Sequence, residues 1–245
     1  KVIEILGDTK PWFIHPAGMM GLVESLSILV DDGMDEKWLN VSQGQLTFNA
    51  EADDIENSVY FSRTIHWPGN LDSGVTIGRG YDLGNRSENE AYTDMINSGI
   101  PTEVAELISK GAGLKGSAAG NYVNRHKQMI IITRKSQNKL FEKIYPDYIV
   151  RARSNYEHWT TAASIQNANI TNVSIADKTS WENLDSIVRD VVIDLVYQGF
   201  TQGPKPMIYG MLNDREIYAH YIESTSALSQ YEPGRKRVNY LRGNI

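Results

Sequence analysis

Over most of the chain the apolar positions return every three or four residues, the period of a helix that buries one face. Leu140, Phe141, Ile144, Tyr148 and Ile149 make such a face in a long segment opened by Thr133, which Pro146 is expected to kink. Leu184, Ile187, Val188, Val191, Val192, Leu195 and Val196 cover more than one face of Trp181–Phe200. That breadth predicts a central buried helix, capped by Thr179 with Glu182. Shorter helices are expected over Met19–Val30, from the capping pair Ser87/Glu90 to Asn97, from Pro101 to Gly111, and over Asn121–Met129. Two more, over Met207–Ile222 and about Gly234–Leu241, finish the chain, and Val2–Leu6 reads as a short strand. The polar stretch Ser164–Thr179 is expected to be a surface loop. Leu46–Asp53 (LTFNAEAD) fits a strand or a short distorted helix equally well.

One stretch departs from the helical period. Phe61–Gly84 (FSRTIHWPGNLDSGVTIGRGYDLG) carries glycines at 69, 74, 78, 80 and 84. Each would cost a helix roughly 1 kcal/mol against alanine, whereas glycine suits turns and close approaches of backbone. The pattern predicts a hairpin with one strand near Thr64–Trp67, a turn over Pro68–Ser73 and a second strand near Val75–Asp82. So polar a ribbon has no evident core duty, which makes it a candidate site.

Composition narrows the picture. The chain has 245 residues, 41% of them apolar and 22% charged, enough for one large globular domain or two small ones. Residues 1–44, with the aromatic run Trp12–Pro16, read as an N-terminal anchor or extension, and 45–245 as the main domain. The start at Lys1, without an initiator methionine or a signal-like segment, suggests a fragment or a processed chain. A net charge of −6 argues against a general grip on nucleic acid. The absence of cysteine removes disulfides, thiolate metal sites and a cysteine nucleophile. No apolar run reaches the length of a membrane span.

Most candidate chemistry falls away. Histidines 15, 66, 126, 158 and 220 stand far apart without metal-ligand spacing, and only His66, inside the ribbon, suggests a substrate contact. Gly78-x-Gly80 lacks the rest of a dinucleotide fingerprint. Asp190 and Asp194 share a helix face and are read as solvated or salt-bridged, and Arg235-Lys-Arg237 is too short a basic cluster to imply nucleic acid. What remains is Glu51, Asp72 and Asp82, with Thr76 between the two aspartates. Paired carboxylates cleave glycosidic bonds by dividing the work: one, kept protonated, donates to the leaving oxygen, and the other supports the cation or orients water. The residues alone leave open which carboxylates would do so.

LTFNAE, FSR-x-x-HWPG and SGVTIGRGYDLG together resemble the catalytic domain of the pesticin-type muramidases, within the phage T4 lysozyme-like group. LFEKIYPDY and VVIDLVYQGF are similar to helices of that family, so the resemblance spans about residues 45–245. It implies an α+β, predominantly helical, lysozyme-like fold with a small glycine-rich hairpin beside a helical lobe. It implies cleavage of the β-1,4 bond between N-acetylmuramic acid and N-acetylglucosamine, without metal or other cofactor. Glu51 would be the general acid, Thr76 the hydroxyl that positions water, and Asp82 its partner carboxylate. In pesticin the aspartate follows the threonine by six residues, as Asp82 follows Thr76; phage lysozymes place it before, where Asp72 stands. His66, Asp72, Arg79 and Tyr81 become candidate substrate contacts. Inversion, which the family suggests, calls for carboxyls about 6.5–9.5 Å apart. The implied partners are peptidoglycan glycan strands and a cognate immunity protein. The chain would be secreted or delivered to the bacterial periplasm or cell wall as a toxin, effector or lysin. A lytic transglycosylase and a non-catalytic peptidoglycan-binding module are the alternatives.

Overall fold

The computed structural model describes residues 32–58 and 61–244. The expected strand Val2–Leu6, the aromatic run Trp12–Pro16 and the helix Met19–Val30 lie outside the described residues. The rest is predominantly helical with one small antiparallel sheet, an α-dominated α+β fold.

A short 3₁₀ turn, Glu36–Leu39, leads into α1 (Gln45–Glu51), so LTFNAE is helical. Its Leu46, Thr47 and Phe48 are buried in succession, which the one-in, one-out alternation of a half-buried strand does not give. Strands β1 (Thr76–Ile77) and β2 (Tyr81–Asp82) follow, paired antiparallel with Thr76 opposite Asp82 and Ile77 opposite Tyr81. Then come α2 (Glu88–Asn97), α3 (Thr102–Ser109), α4 (Gly116–His126) and α5 (Arg134–Trp159). The chain continues through α6 (Ala162–Ala168), α7 (Ser186–Tyr197), α8 (Lys205–Met211) and α9 (Arg215–Ser224). It ends in three short helices, α10 (Ser226–Ser229), α11 (Glu232–Arg235) and α12 (Arg237–Leu241).

Two hydrophobic cores form. One gathers Ile65, Val75, Ile77, Tyr81 and Leu83 of the ribbon with α2, α3 and α4; the other surrounds α7 with residues of α1, α8, α9 and α12. Helix α5 serves both: Leu140 and Ile144 join the first core, Phe141, Tyr145, Ala152 and Tyr156 the second. Its 26 residues run through Pro146 as one helix. Residues 32–44 are fastened to the same helix. Lys135 pairs with Asp32 at 2.7 Å, and the Asn138 amide donates to the carbonyls of Trp38 and Asn40 at 3.0 and 2.8 Å.

Several expectations are corrected. The hairpin turn is Gly78–Gly80, not Pro68–Ser73, and the expected first strand contributes a single bridge, His66 to Thr76. The apolar run from Trp181 is a 3₁₀ turn followed by α7, which is capped by Asp185 rather than Thr179. The Asp185 carboxylate accepts the Ile187 N–H at 2.9 Å. Met207–Ile222 breaks into α8 and α9 at Asn213, whose φ of 55° is left-handed, and Asp214 caps the second piece. In Ser164–Thr179, expected as loop, α6 and a 3₁₀ turn appear. Helix α4 begins at Gly116, ahead of the expected Asn121.

Candidate active site

The ribbon builds one part of the site. His66 and Thr76 exchange both backbone hydrogen bonds, at 2.8 and 2.9 Å, and Thr76 faces Asp82 across the β1–β2 ladder. Residues directly opposite in an antiparallel ladder project to the same face. His66, Thr76 and Asp82 therefore form a row across three segments. The Asp82 carboxylate accepts the Gly84 N–H at 2.6 Å and the Gly74 N–H at 3.3 Å. Gly74 permits this approach, since a Cβ there would lie 2.3 Å from the Gly84 nitrogen and 2.5 Å from Asp82 Oδ1. The Thr76 hydroxyl donates weakly to the Gly74 carbonyl at 3.4 Å, which leaves its oxygen able to accept another hydrogen bond. Burial pulls the His66 pKa below its usual value, against the opposing charge of Asp82.

Glu51, the last residue of α1, lines a different opening from that of Asp82. Its side chain is 18% exposed and lines a cleft of about 440 Å³ with Asn49, Gln198, Tyr231 and Arg235. Arg235 Nη2 donates to Glu51 Oε1 at 2.5 Å. Burial nonetheless holds the Glu51 carboxyl above its usual pKa; Arg235 works against that, and the negative charge of Asp194 adds to it. The guanidinium is shared, because its Nη1 donates to Asp194 Oδ1 at 2.9 Å. Asp194 is fully buried and takes a further bond from the fully buried Arg237 at 2.6 Å.

Arg79 joins the ribbon to α1, and its role differs from the substrate contact expected of it. The side chain is buried and its Nη1 donates to the carbonyls of Phe48 and Ala52, at the C-terminal end of α1. The guanidinium also lies 4.2 Å from the Phe48 ring centroid. The hairpin turn is thereby fastened to the helix end that carries Glu51. Burial lowers the Arg79 pKa to about 10. Tyr81 is likewise turned inward, 1% exposed, with its hydroxyl donating to Asp94 at 2.6 Å. Both side chains are buried. Asp72 sits exposed in the loop that Asn70 organises by accepting the N–H groups of Asp72 and Ser73.

Tyr148 of α5 stands within electrostatic reach of both acids. Burial, Glu51 and Asp82 all push its phenol pKa up, while Arg151 opposes them. Among the described residues no group of three histidines or carboxylates is placed to hold a metal ion.

A family described as a domain of unknown function (DUF8812) matches residues 44–223. The chain belongs to that family. No curated protein matches the chain. The DUF8812 span contains Glu51, the His66–Thr76–Asp82 row, Arg79, Tyr148 and Asp194, whereas Arg235 and Arg237, which neutralise Asp194, lie beyond it.

Arg235 and Tyr148 are parts of this arrangement that pattern reading passes over. Tyr148 looked like one more residue of a buried helical face. Arg235-Lys-Arg237 is too short a basic cluster to imply nucleic acid, yet Asp194, on a helix apolar over more than one face, demands a buried counter-charge. That demand was the available signal.

Proposed function

We propose that this DUF8812 protein is a peptidoglycan hydrolase of the lysozyme-like kind, cleaving between N-acetylmuramic acid and N-acetylglucosamine. The observation that carries the reading is the contrast between its two carboxyls. Glu51 is desolvated and held toward its protonated form, while Asp82 is anchored by two backbone N–H groups beside the Thr76 hydroxyl. Such a division suits glycosidic cleavage. Glu51 donates its proton to the leaving glycosidic oxygen. Asp82 accepts a proton from, or orients, a water that Thr76 also binds, and its negative charge favours the oxocarbenium-like transition state. Arg235 keeps the Glu51 carboxyl aimed, and sharing that arginine with Asp194 limits how far its charge ionises Glu51. The wall of bacteria is then the place of action.

Lysis of purified peptidoglycan tests the reading. Glu51→Gln keeps the size and a hydrogen-bond acceptor for Arg235, so the fold should persist while lysis falls at least about 100-fold, the usual contribution of a general acid. Undiminished lysis would remove Glu51 from the chemistry.

A further inference from the structure

Beside Asp82, on the α5 side, lies a second opening of about 470 Å³ lined by Gly80, Asp82, Arg86, Glu90, Asp147, Tyr148 and Arg151. Two cations border it. Arg86 is committed: it donates to Glu90 at 2.5 Å and to the Asp82 carbonyl at 3.2 Å, and it covers the Tyr81 ring at 4.3 Å. Arg151 is exposed, and its guanidinium rests 4.7 Å from the Tyr148 ring centroid. Among the described residues no carboxylate lies within ion-pair distance of it, Asp147 one turn earlier included. Tyr148 is backed in turn by Tyr197, with ring centroids 4.0 Å apart.

An arginine stacked on a buttressed ring has lost much of its conformational freedom before any ligand arrives, and its planar fork suits a carboxylate. Tyr197 packs against the Tyr148 ring and Arg151 lies over it, so both compete with a sugar for its surface. The opening therefore presents an oriented guanidinium with no ion pair among the described residues, beside the candidate catalytic carboxylate and two further carboxylates, Glu90 and Asp147. We propose that Arg151 receives a carboxylate carried by the peptide stem of the glycan strand, and so selects peptide-bearing glycan over bare N-acetylglucosamine polymer. This rests on the peptidoglycan reading of the Glu51–Asp82 site and assigns it a specificity-determining residue.

The test is equilibrium binding, which does not depend on turnover. Wild type and Arg151→Ala are titrated with a disaccharide muropeptide, with the same muropeptide after amidation of its stem carboxyls, with peptide-free N-acetylglucosaminyl-N-acetylmuramic acid, and with chitobiose. Arg151→Ala should weaken the carboxylate-bearing muropeptide by about threefold to fivefold, the scale of an exposed ion pair. It should leave the amidated ligand and chitobiose unchanged. Arg151→Lys should restore part of the loss. A loss seen instead with the peptide-free disaccharide would assign the arginine to the lactyl carboxylate and overturn the stem assignment. Equal losses on all four ligands, no loss on any, or a wild type that binds no muropeptide would also overturn it. Selective binding without release of fragments from sacculi would sink the hydrolase reading and leave Arg151 as the stem contact.

Discussion

Burial and Arg235 set opposing demands on Glu51, and the balance between them is open to measurement. Burial raises the Glu51 pKa and the arginine lowers it. A general acid works in its protonated form, so activity is retained at low pH and lost as pH rises through the raised pKa. Removing the arginine's charge with Arg235→Met takes away a lowering influence. The alkaline limb of the lysis profile should then move to higher pH, on the order of one unit for a contact this close. A limb that stays in place, or moves down, would show that Glu51 is not the group whose ionisation is being read. His66 enters differently. Burial depresses its pKa, against the opposing charge of Asp82.

The ribbon turn belongs to the scale of elements. Gly80 adopts a φ of 93°, and a Cβ there would stand 2.4 Å from the Tyr197 hydroxyl, which itself donates to the Arg79 carbonyl at 2.7 Å. Gly80→Ala therefore meets both a left-handed backbone and a clash, each costing about 1–3 kcal/mol. Thermal unfolding should show a lower Tm, and lysis should fall further than stability alone explains, because Arg79 in the same turn holds the end of α1. An unchanged Tm would contradict the placement of Tyr197 against the turn. How much of these elements the sequence foretold depended on what stabilises each. Helices with a local signal were legible: Ser87 caps α2 by accepting the Glu90 N–H, and Thr133 caps α5 by accepting that of Ser136. The hairpin's place along its stretch was not, since Pro68–Ser73 and Gly78–Gly80 carry equally good turn residues. What decided between them was tertiary: Ile77 and Tyr81 are buried in one core, and the turn is tied to α1 and α7. The Thr76–Asp82 pairing was hidden too, since the pattern puts both residues in one strand, Val75–Asp82, and the Arg235 clamp joins residues 184 positions apart and left no local trace.

For the molecule as a whole, the second core is closed by the chain's last helices. Arg237 is fully buried against Asp194, and Arg235 spans from there to Glu51. Both arginines stand beyond the DUF8812 match, which ends at residue 223. Ending the chain after Ser224 would leave Asp194 buried without a partner, and breaking such a pair costs about 3–5 kcal/mol. That is a large share of the roughly 5–15 kcal/mol by which domains are stable. The loss of apolar contact from Leu228, Val238 and Leu241 adds to it. The truncated chain should unfold at a markedly lower temperature or fail to fold; an unaltered Tm would show that the matched span is self-sufficient.

Across all three scales the account depends on Glu51 and Asp82 acting on one glycosidic bond. Mass spectrometry of the fragments released from purified peptidoglycan reads that directly. Wild type should release muropeptides ending in reducing N-acetylmuramic acid, and Glu51→Gln should release none above background. Anhydro-muramic ends would identify a lytic transglycosylase instead. No fragments from wild type, with sacculi still bound, would leave a binding module and contradict the catalytic reading.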